Sequence, residues 1–229
     1  MVLESDKPLP PLEQQTREEF HQYIYKRGGY IPEGFVEDKV DMRVLATHGK
    51  DFEESYEAMH EYEKLLIEKQ QYLFSRISQL ESVNAGIYYG YMRDMSYRPI
   101  QIFNLRKSVD MGFETMEDFL DIVDAIALYT NAHALVPGQI ETYTFILDFK
   151  DLYLSEWPVS QLFYLVTRMR ASYKLRTHKL IAVNVHWLIA AASNVIFTFL
   201  PKPGSEKIMI FSNNGAEELL KFIEPNHLE

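Results

Sequence analysis

The chain has 229 residues, of which 47% are hydrophobic, and it carries a net charge of −10. This length and apolar content suffice for one domain of ordinary size plus a smaller appendage. The negative charge argues against nucleic acid as a partner, because nucleic-acid binding needs a basic surface. The absence of cysteine excludes disulfides, thiolate catalysis and cysteine-based zinc sites, and it is typical of a cytosolic protein.

The N-terminal part of the chain is predicted to be an arm followed by a small helical domain, together spanning residues 1–80. Residues 1–15 are polar and Pro-rich and lack the basic and apolar regions of a signal peptide, so we expect a loose arm. A short helix is predicted over Arg17–Arg27. Apolar residues recur at helical spacing from Asp38 to Leu73, and His48-Gly49-Lys50 divides this stretch into two helices.

The remaining residues, 81–229, alternate between strand and helix patterns. This alternation predicts an α/β domain with a mixed, mostly parallel sheet and helices packed on it. The predicted elements are a strand at Ile87–Tyr91, a strand at Ile100–Leu105, a helix at Glu114–Ala134, a strand at Thr142–Phe149, a helix at Val159–Tyr173, a strand at Leu180–Val185, a strand at Glu206–Phe211 and a helix at Ala216–Ile223.

A charge-free run lies between Lys179 and Lys202, and the domain is organised around it. Its length approaches that of a membrane span, but its first part is a short β-branched strand and polar residues interrupt the rest. The second part, Trp187–Leu200, is apolar on nearly all sides. Such a helix is either buried on both sides or covers an apolar surface.

The order of these motifs resembles the CRAL-TRIO family of lipid-carrying domains. The resemblance rests on an Asn-containing strand at Ala182–Val185, a hydrophobic helix that ends in Phe199-Leu200, and a Lys207-Ile208 strand. Leu219-Leu220 matches the final helix, and Asp94, Arg98 and Pro99 match a hairpin motif in which Tyr97 replaces the usual glycine. A glycine there would favour positive φ, so the tyrosine predicts a slightly different turn.

The resemblance implies a sheet that forms the floor of a hydrophobic pocket and a mobile gate helix that forms its lid. An ordinary core explains the floor residues equally well, whereas the all-round apolar surface of the gate helix favours a lid. The residues predicted for the floor are Tyr143, Phe145, Leu147, Ile181, Val183 and Val185. The residues predicted for the lid are Trp187, Ile196, Phe197, Phe199 and Leu200.

The resemblance also identifies Ser205 and Lys207 as candidates for contact with a polar headgroup. In the family's phosphatidylinositol carriers, a basic pair and a glutamate complete this site. Here His48-Gly49 and Leu175 stand at those positions, so an inositol phosphate would be poorly satisfied. A surface lysine at the start of a strand is the alternative interpretation of Lys207.

The sequence therefore predicts a soluble, cytoplasmic lipid-binding and transfer protein that holds one hydrophobic ligand and contacts membranes transiently. The alternative is a non-catalytic regulatory or scaffold module that uses the same fold to bind a protein partner. We expect no enzymatic activity, metal or cofactor other than the bound lipid, because no nucleophile elbow, phosphate loop, dinucleotide fingerprint or zinc-protease motif is present.

Overall fold

The structure of the chain is a computed structural model, and it describes residues 8–70, 73, 85–113, 115–136, 139–156, 158–173, 176–188 and 207–227. Helices and strands alternate in its second half, and three helices precede them. The described α-helices are α1 Pro11–Lys26, α2 Val40–Thr47, α3 Phe52–Leu65, α4 Leu105–Met111, α5 Met116–His133, α6 Val159–Ser172 and α7 Ala216–Leu219.

Helix α1 begins within the segment that was predicted to be a loose arm. Its first residue is Pro11, and proline is well suited to this position because its φ is already helical and its missing N–H would have no partner there. The predicted break at Gly49 is confirmed, since Gly49 and Lys50 have positive φ. Asp51 is the N-cap residue of helix α3, and its side chain accepts a hydrogen bond from the backbone N–H of Glu54 at 2.9 Å.

The described strands form one five-stranded sheet in the order β1-β2-β3-β4-β5, and the predicted α/β architecture is confirmed. Strands β1 and β2 are antiparallel, and every later pair is parallel. The strands are β1 Tyr88–Arg93, β2 Pro99–Asn104, β3 Tyr143–Asp148, β4 Thr177–Val183 and β5 Ile208–Ile210.

The register of the parallel strands separates their side chains into two faces. Phe145 pairs with Leu180 and Leu147 with Ala182, and these residues belong to the core that contains side chains of α5 and α6. We call this side the helix face. Ile146 pairs with Ile181, and both belong to a smaller core on the other side, which we call the far face.

The C-terminal segment packs on the far face. Leu219 and Ile223 are buried there beside Ile100 and Ile181. The backbone N–H of Met95 donates to the carbonyl of Phe222 at 2.8 Å, which ties this segment to the β1–β2 turn. The two faces of the sheet are therefore covered by different parts of the chain.

The β1–β2 turn retains the positive φ that we expected tyrosine to avoid. Tyr97 has φ of 62°, so the prediction of a different turn is wrong. The side chain of Asp94 explains why this conformation persists, because it accepts hydrogen bonds from the backbone N–H groups of Ser96 at 2.8 Å and Arg98 at 2.9 Å. The N–H of Tyr97 also donates to the carbonyl of Asp94. These bonds offset the steric cost of a side chain at positive φ.

Helix α5 is the long helix that follows β2, and a capping box fixes its start. The hydroxyl of Thr115 accepts from the backbone N–H of Asp118, and the carboxylate of Asp118 accepts from the N–H of Thr115, both at 3.1 Å. Each bond satisfies a backbone donor that the helix itself leaves without a partner.

A Thr115→Ala variant is expected to unfold at a lower temperature, because loss of an N-cap costs about 1 kcal/mol. A thermal melt followed by circular dichroism measures this change. Thr167→Ala, at an exposed position inside α6, is the matched control and is expected to leave the melting temperature nearly unchanged. Equal melting temperatures for Thr115→Ala and wild type would contradict the capping role.

Helices α1–α3 form a core of their own that adjoins the core of the helix face. Tyr62 and Leu66 pack against both. A buried ion pair joins Arg43 of α2 to Glu141, just before β3, and Arg176 lies 3.6 Å from the same carboxylate. The division into residues 1–80 and 81–229 stays a prediction, since residues 74–84 lie outside the described part of the chain.

Candidate functional site

Three of the predicted floor residues lie on the helix face of β3. Tyr143, Phe145 and Leu147 are all buried and pack into the core that includes side chains of α5 and α6. The ring of Phe145 meets that of Tyr88 edge-on, with 5.5 Å between centroids. These side chains are packed as core in the described structure, and their role as a pocket floor stays a prediction.

Ile181 and Val183 lie on the far face, and they do not join the three residues of β3. Each is buried in the core that contains Ile100 and Leu219. The parallel register places Ile181 beside Ile146 rather than beside Phe145. Side chains alternate along β4, and Ile181 and Val183 point to the face opposite the one on which Tyr143, Phe145 and Leu147 lie. The six predicted floor residues therefore do not line one surface.

Val185 returns to the helix-face core. It follows Asn184, whose positive φ of 57° interrupts the alternation of the strand. Asn184 is held in this conformation by Nδ2, which donates to the carboxylate of Asp148 at 2.8 Å, and by its N–H, which donates to the carbonyl of Asn213. The predicted floor therefore separates into one set on each face.

Partly exposed apolar side chains lie on the helix face, in β4, β5 and α6. Leu180 of β4, Ile210 of β5 and Leu162 of α6 are only partly buried, and all three pack against the helix-face core. The sequence analysis missed this set. Leu180 belongs to the same apolar run as Ile181, and only the register shows which of the two faces the helices.

The lid lies almost wholly outside the described residues, which include only its start. Trp187 and Leu188 are helical, and Trp187 is 65% exposed. The remaining predicted lid residues and Ser205 lie outside the described part; they are Ile196, Phe197, Phe199, Leu200 and Ser205.

Lys207, the other headgroup candidate, lies one residue before β5. Its Nζ donates to the backbone carbonyl of Thr177 at 3.0 Å, and burial lowers the pKa of this amine. The Nζ of the neighbouring Lys179 sits 4.4 Å from the ring centroid of Phe222, on the far face. The amine of Lys207 is therefore hydrogen-bonded to the backbone, and the described contacts do not bring it to the helix face.

A group of buried polar side chains lies on the helix face, across the first three strands. Gln101 Nε2 donates to the hydroxyl of Thr130 at 2.9 Å. Within the described residues, the carbonyl oxygen of Gln101 and the hydroxyl of Tyr88 have no hydrogen-bond partner, although both are fully enclosed. Buried polar atoms normally have a partner, so each of these two atoms is a candidate to bind water or the polar group of a ligand.

The phenols around this group are neutral donors at physiological pH. Burial raises the pKa of Tyr88 well above its usual value, and the neighbouring Tyr143 and Asp124 raise it further. Burial likewise raises the pKa of Tyr173, whose hydroxyl donates to Asp124 at 2.7 Å. Arg168 also donates to both carboxylate oxygens of Asp124, so this buried negative charge is already balanced.

Two structural properties bear on other kinds of site. Among the residues that the structure describes, no three histidine and acidic side chains are grouped closely enough to bind a metal ion. The helices in those same ranges are too short or too polar to span a bilayer.

Comparison with known proteins identifies the domain. Residues 84–229 match the family model described as the CRAL/TRIO domain. The solved structure titled "Crystal structure of Sfh5" is similar, with a TM-score of 0.62 and 10% sequence identity over 91% of this chain and 83% of that chain. At this identity the likeness concerns the fold. No curated protein matches the chain.

Proposed function

We propose that this chain, which belongs to the CRAL/TRIO domain family, is a lipid-binding and transfer protein. It holds one hydrophobic ligand on the helix face of its sheet. Family membership supports a lipid-binding role. The observation that carries the finer proposal is the partly exposed apolar set Leu180, Ile210 and Leu162, which pack against the helix-face core from β4, β5 and α6.

The handedness of the fold supports a lid on the same face. Helices α5 and α6 both connect parallel neighbouring strands, and side chains of both lie in the helix-face core. Right-handed crossovers are nearly universal, and the strand order continues in the same direction from β4 to β5. The predicted gate helix, most of whose residues lie outside the described part of the chain, is proposed to act as a lid over a ligand on this face.

The free energy of moving a lipid out of a bilayer requires a carrier to have both an apolar floor and a movable cover. A buried methylene contributes roughly 0.8 kcal/mol, so a lipid with about 30 acyl methylenes leaves roughly 25 kcal/mol of burial behind when it exits a bilayer. A carrier must offer a comparably apolar cavity and must open it at the membrane surface. Transient contact with membranes, and action by binding rather than by catalysis, are parts of this proposal.

The polar end of the ligand is proposed to reach the hydroxyl of Tyr88 and the carbonyl oxygen of Gln101. Together these atoms offer one donor and one acceptor. The charge of Asp124, which acts on Tyr88, is already paired with Arg168, so the group suits an uncharged hydroxyl, amide or ester better than a phosphate.

Native mass spectrometry tests the proposal. The chain, after incubation with mixed-lipid vesicles and repurification, is expected to carry one extra mass of lipid size per protein. Extraction and identification of that molecule would give its class. A chain that remains ligand-free, and that also fails to move a fluorescent lipid between vesicles, would refute the carrier function and favour a protein-binding module.

A further inference from the structure

Large apolar side chains are exposed in three segments near one end of the sheet. Tyr153 and Leu154 follow β3, Phe163 and Tyr164 lie in the first part of α6, and Trp187 and Leu188 follow β4. We call these six residues the aromatic edge. Tyr153 is 74% exposed and Phe163 66%, and none of the six is buried.

Chain topology places the aromatic edge at the carboxyl ends of neighbouring parallel strands. Asp148, the last residue of β3, pairs with Val183, the last residue of β4. The N–H of Phe149 donates to the carbonyl of Val183 at 3.0 Å, so the two strands end together. Helix α6 leaves from this end. Phe163 is the fifth residue of α6, so it lies within about 8 Å of the helix start.

Two contacts lie within the aromatic edge, one between rings and one that fixes the backbone beside Tyr153. The rings of Phe163 and Tyr164 meet edge-on, with 5.8 Å between centroids. Glu156, in the short 3-10 helix that includes Leu154, accepts a hydrogen bond from Arg106 at 2.8 Å and one from the N–H of Tyr153 at 3.1 Å. Exposed apolar surface of this extent is typical of an interaction site.

The residue types match the interface of a lipid bilayer. Tryptophan and tyrosine concentrate at the boundary between acyl chains and water, because each has an apolar ring and a polar tip. Phenylalanine and leucine supply the apolar area that enters the acyl region. The aromatic edge also includes the start of the predicted gate helix, so contact there would place the ligand's exit at the membrane.

The charges around the aromatic edge indicate which kind of bilayer fits. The aromatic edge comes from residues 149–156, 159–164 and 184–188. The charged side chains in these three segments are Lys150, Asp151 and Glu156, and Glu156 is paired with Arg106. Attraction to an anionic leaflet requires clusters of basic residues, and this edge has none in its described segments. A chain with a net charge of −10 is instead repelled by anionic lipid.

We infer that the aromatic edge docks the chain on the surface of a bilayer whose phospholipid headgroups carry no net charge. The inference rests on the proposed carrier function and adds the docking surface and the charge class of the membrane. Apolar insertion supplies the attraction, and added anionic lipid weakens it.

The test is sedimentation of the full chain with phosphatidylcholine vesicles, with and without added phosphatidylserine. The wild type is expected to sediment with pure phosphatidylcholine and less well when phosphatidylserine is added. A Tyr153→Asp/Phe163→Asp double variant is expected to bind at least about tenfold more weakly. Its melting temperature should not change, because both side chains are exposed. Leu12→Asp/Tyr25→Asp, at two exposed positions of α1, is the matched control and should bind like wild type.

Vesicle binding by the double variant equal to that of wild type would overturn the inference, as would binding that rises with phosphatidylserine. Capture of a protein at this edge with no vesicle binding would also overturn it. Native mass spectrometry of the double variant separates this inference from the carrier proposal. A variant that keeps a detergent-delivered lipid but no longer binds vesicles supports the docking surface, whereas a wild type that binds lipid but never vesicles contradicts docking alone.

Discussion

Ile210→Trp is expected to reduce lipid uptake by at least about tenfold, while Met209→Trp leaves uptake close to wild type. The two residues are neighbours on β5 and both are partly exposed, but they face opposite sides of the sheet. Ile210 packs on the helix face and Met209 on the far face. An indole at position 210 would occupy the space proposed for the ligand. The measurement is uptake of a fluorescent lipid from vesicles, with a thermal melt of each variant.

The pair of variants separates a pocket from a general packing effect. Both substitutions enlarge a partly exposed side chain on the same three-residue strand, so their effects on stability should be similar. Loss of uptake in Met209→Trp with normal uptake in Ile210→Trp would place the ligand on the far face. Lipid uptake at the wild-type level in both variants would show that neither face of β5 contributes to binding.

Glu141→Ala is expected to destabilise the chain by about 3–5 kcal/mol, because it leaves the buried guanidinium of Arg43 without its carboxylate. Arg43 and Glu141 are both almost fully enclosed. Burial, and then the like charge of Arg176, lower the pKa of Arg43 to about 10, so the group is still charged at pH 7 and still needs a counter-charge. Urea denaturation measures the loss of stability.

Two controls define the origin of that loss. Glu156→Ala removes a carboxylate from a partly exposed pair with Arg106 and is expected to have much less effect than Glu141→Ala. An Arg43→Leu/Glu141→Leu double variant removes both buried charges and should recover much of the stability lost by Glu141→Ala. A double variant that is less stable than Glu141→Ala would show that the ion pair itself, rather than the unpaired charge, determines the effect.

The order and type of the elements could be predicted from the sequence because each carries its own pattern. The β-branched run before Asn184 and the period of helix α5 are local signals, and both elements form as predicted. Helix boundaries were less accurate. Helix α1 begins at Pro11, since proline fits the first turn of a helix as well as it fits an arm.

The faces of the sheet could not be predicted in the same way. Alternation shows that Ile181 and Val183 share a face of β4, but it does not show which residues of β3 lie beside them. That relation depends on hydrogen-bond register between strands, which joined Ile181 to Ile146 and Leu180 to Phe145. The predicted floor therefore combined residues from both faces.

Tertiary hydrogen bonds account for the other differences. Tyr97 keeps a positive φ because Asp94 holds the turn, and no single-residue preference shows this. The buried atoms of Tyr88 and Gln101 likewise belong to residues that look ordinary in the sequence. They lie on the same face only because β1 and β2 pair, with Gly90 opposite Gln101 and Tyr88 opposite Phe103.

Photo-crosslinking with a lipid that carries a diazirine in its acyl chain tests whether the ligand lies on the helix face of the sheet. The chain would be loaded from vesicles, irradiated and mapped by peptide mass spectrometry. We expect crosslinks at the helix face near Leu180, Ile210 and Leu162, and in the connection between β4 and β5. Crosslinks confined to the far face, near Ile181 and Met209, or a chain that acquires no crosslinked lipid, would contradict it.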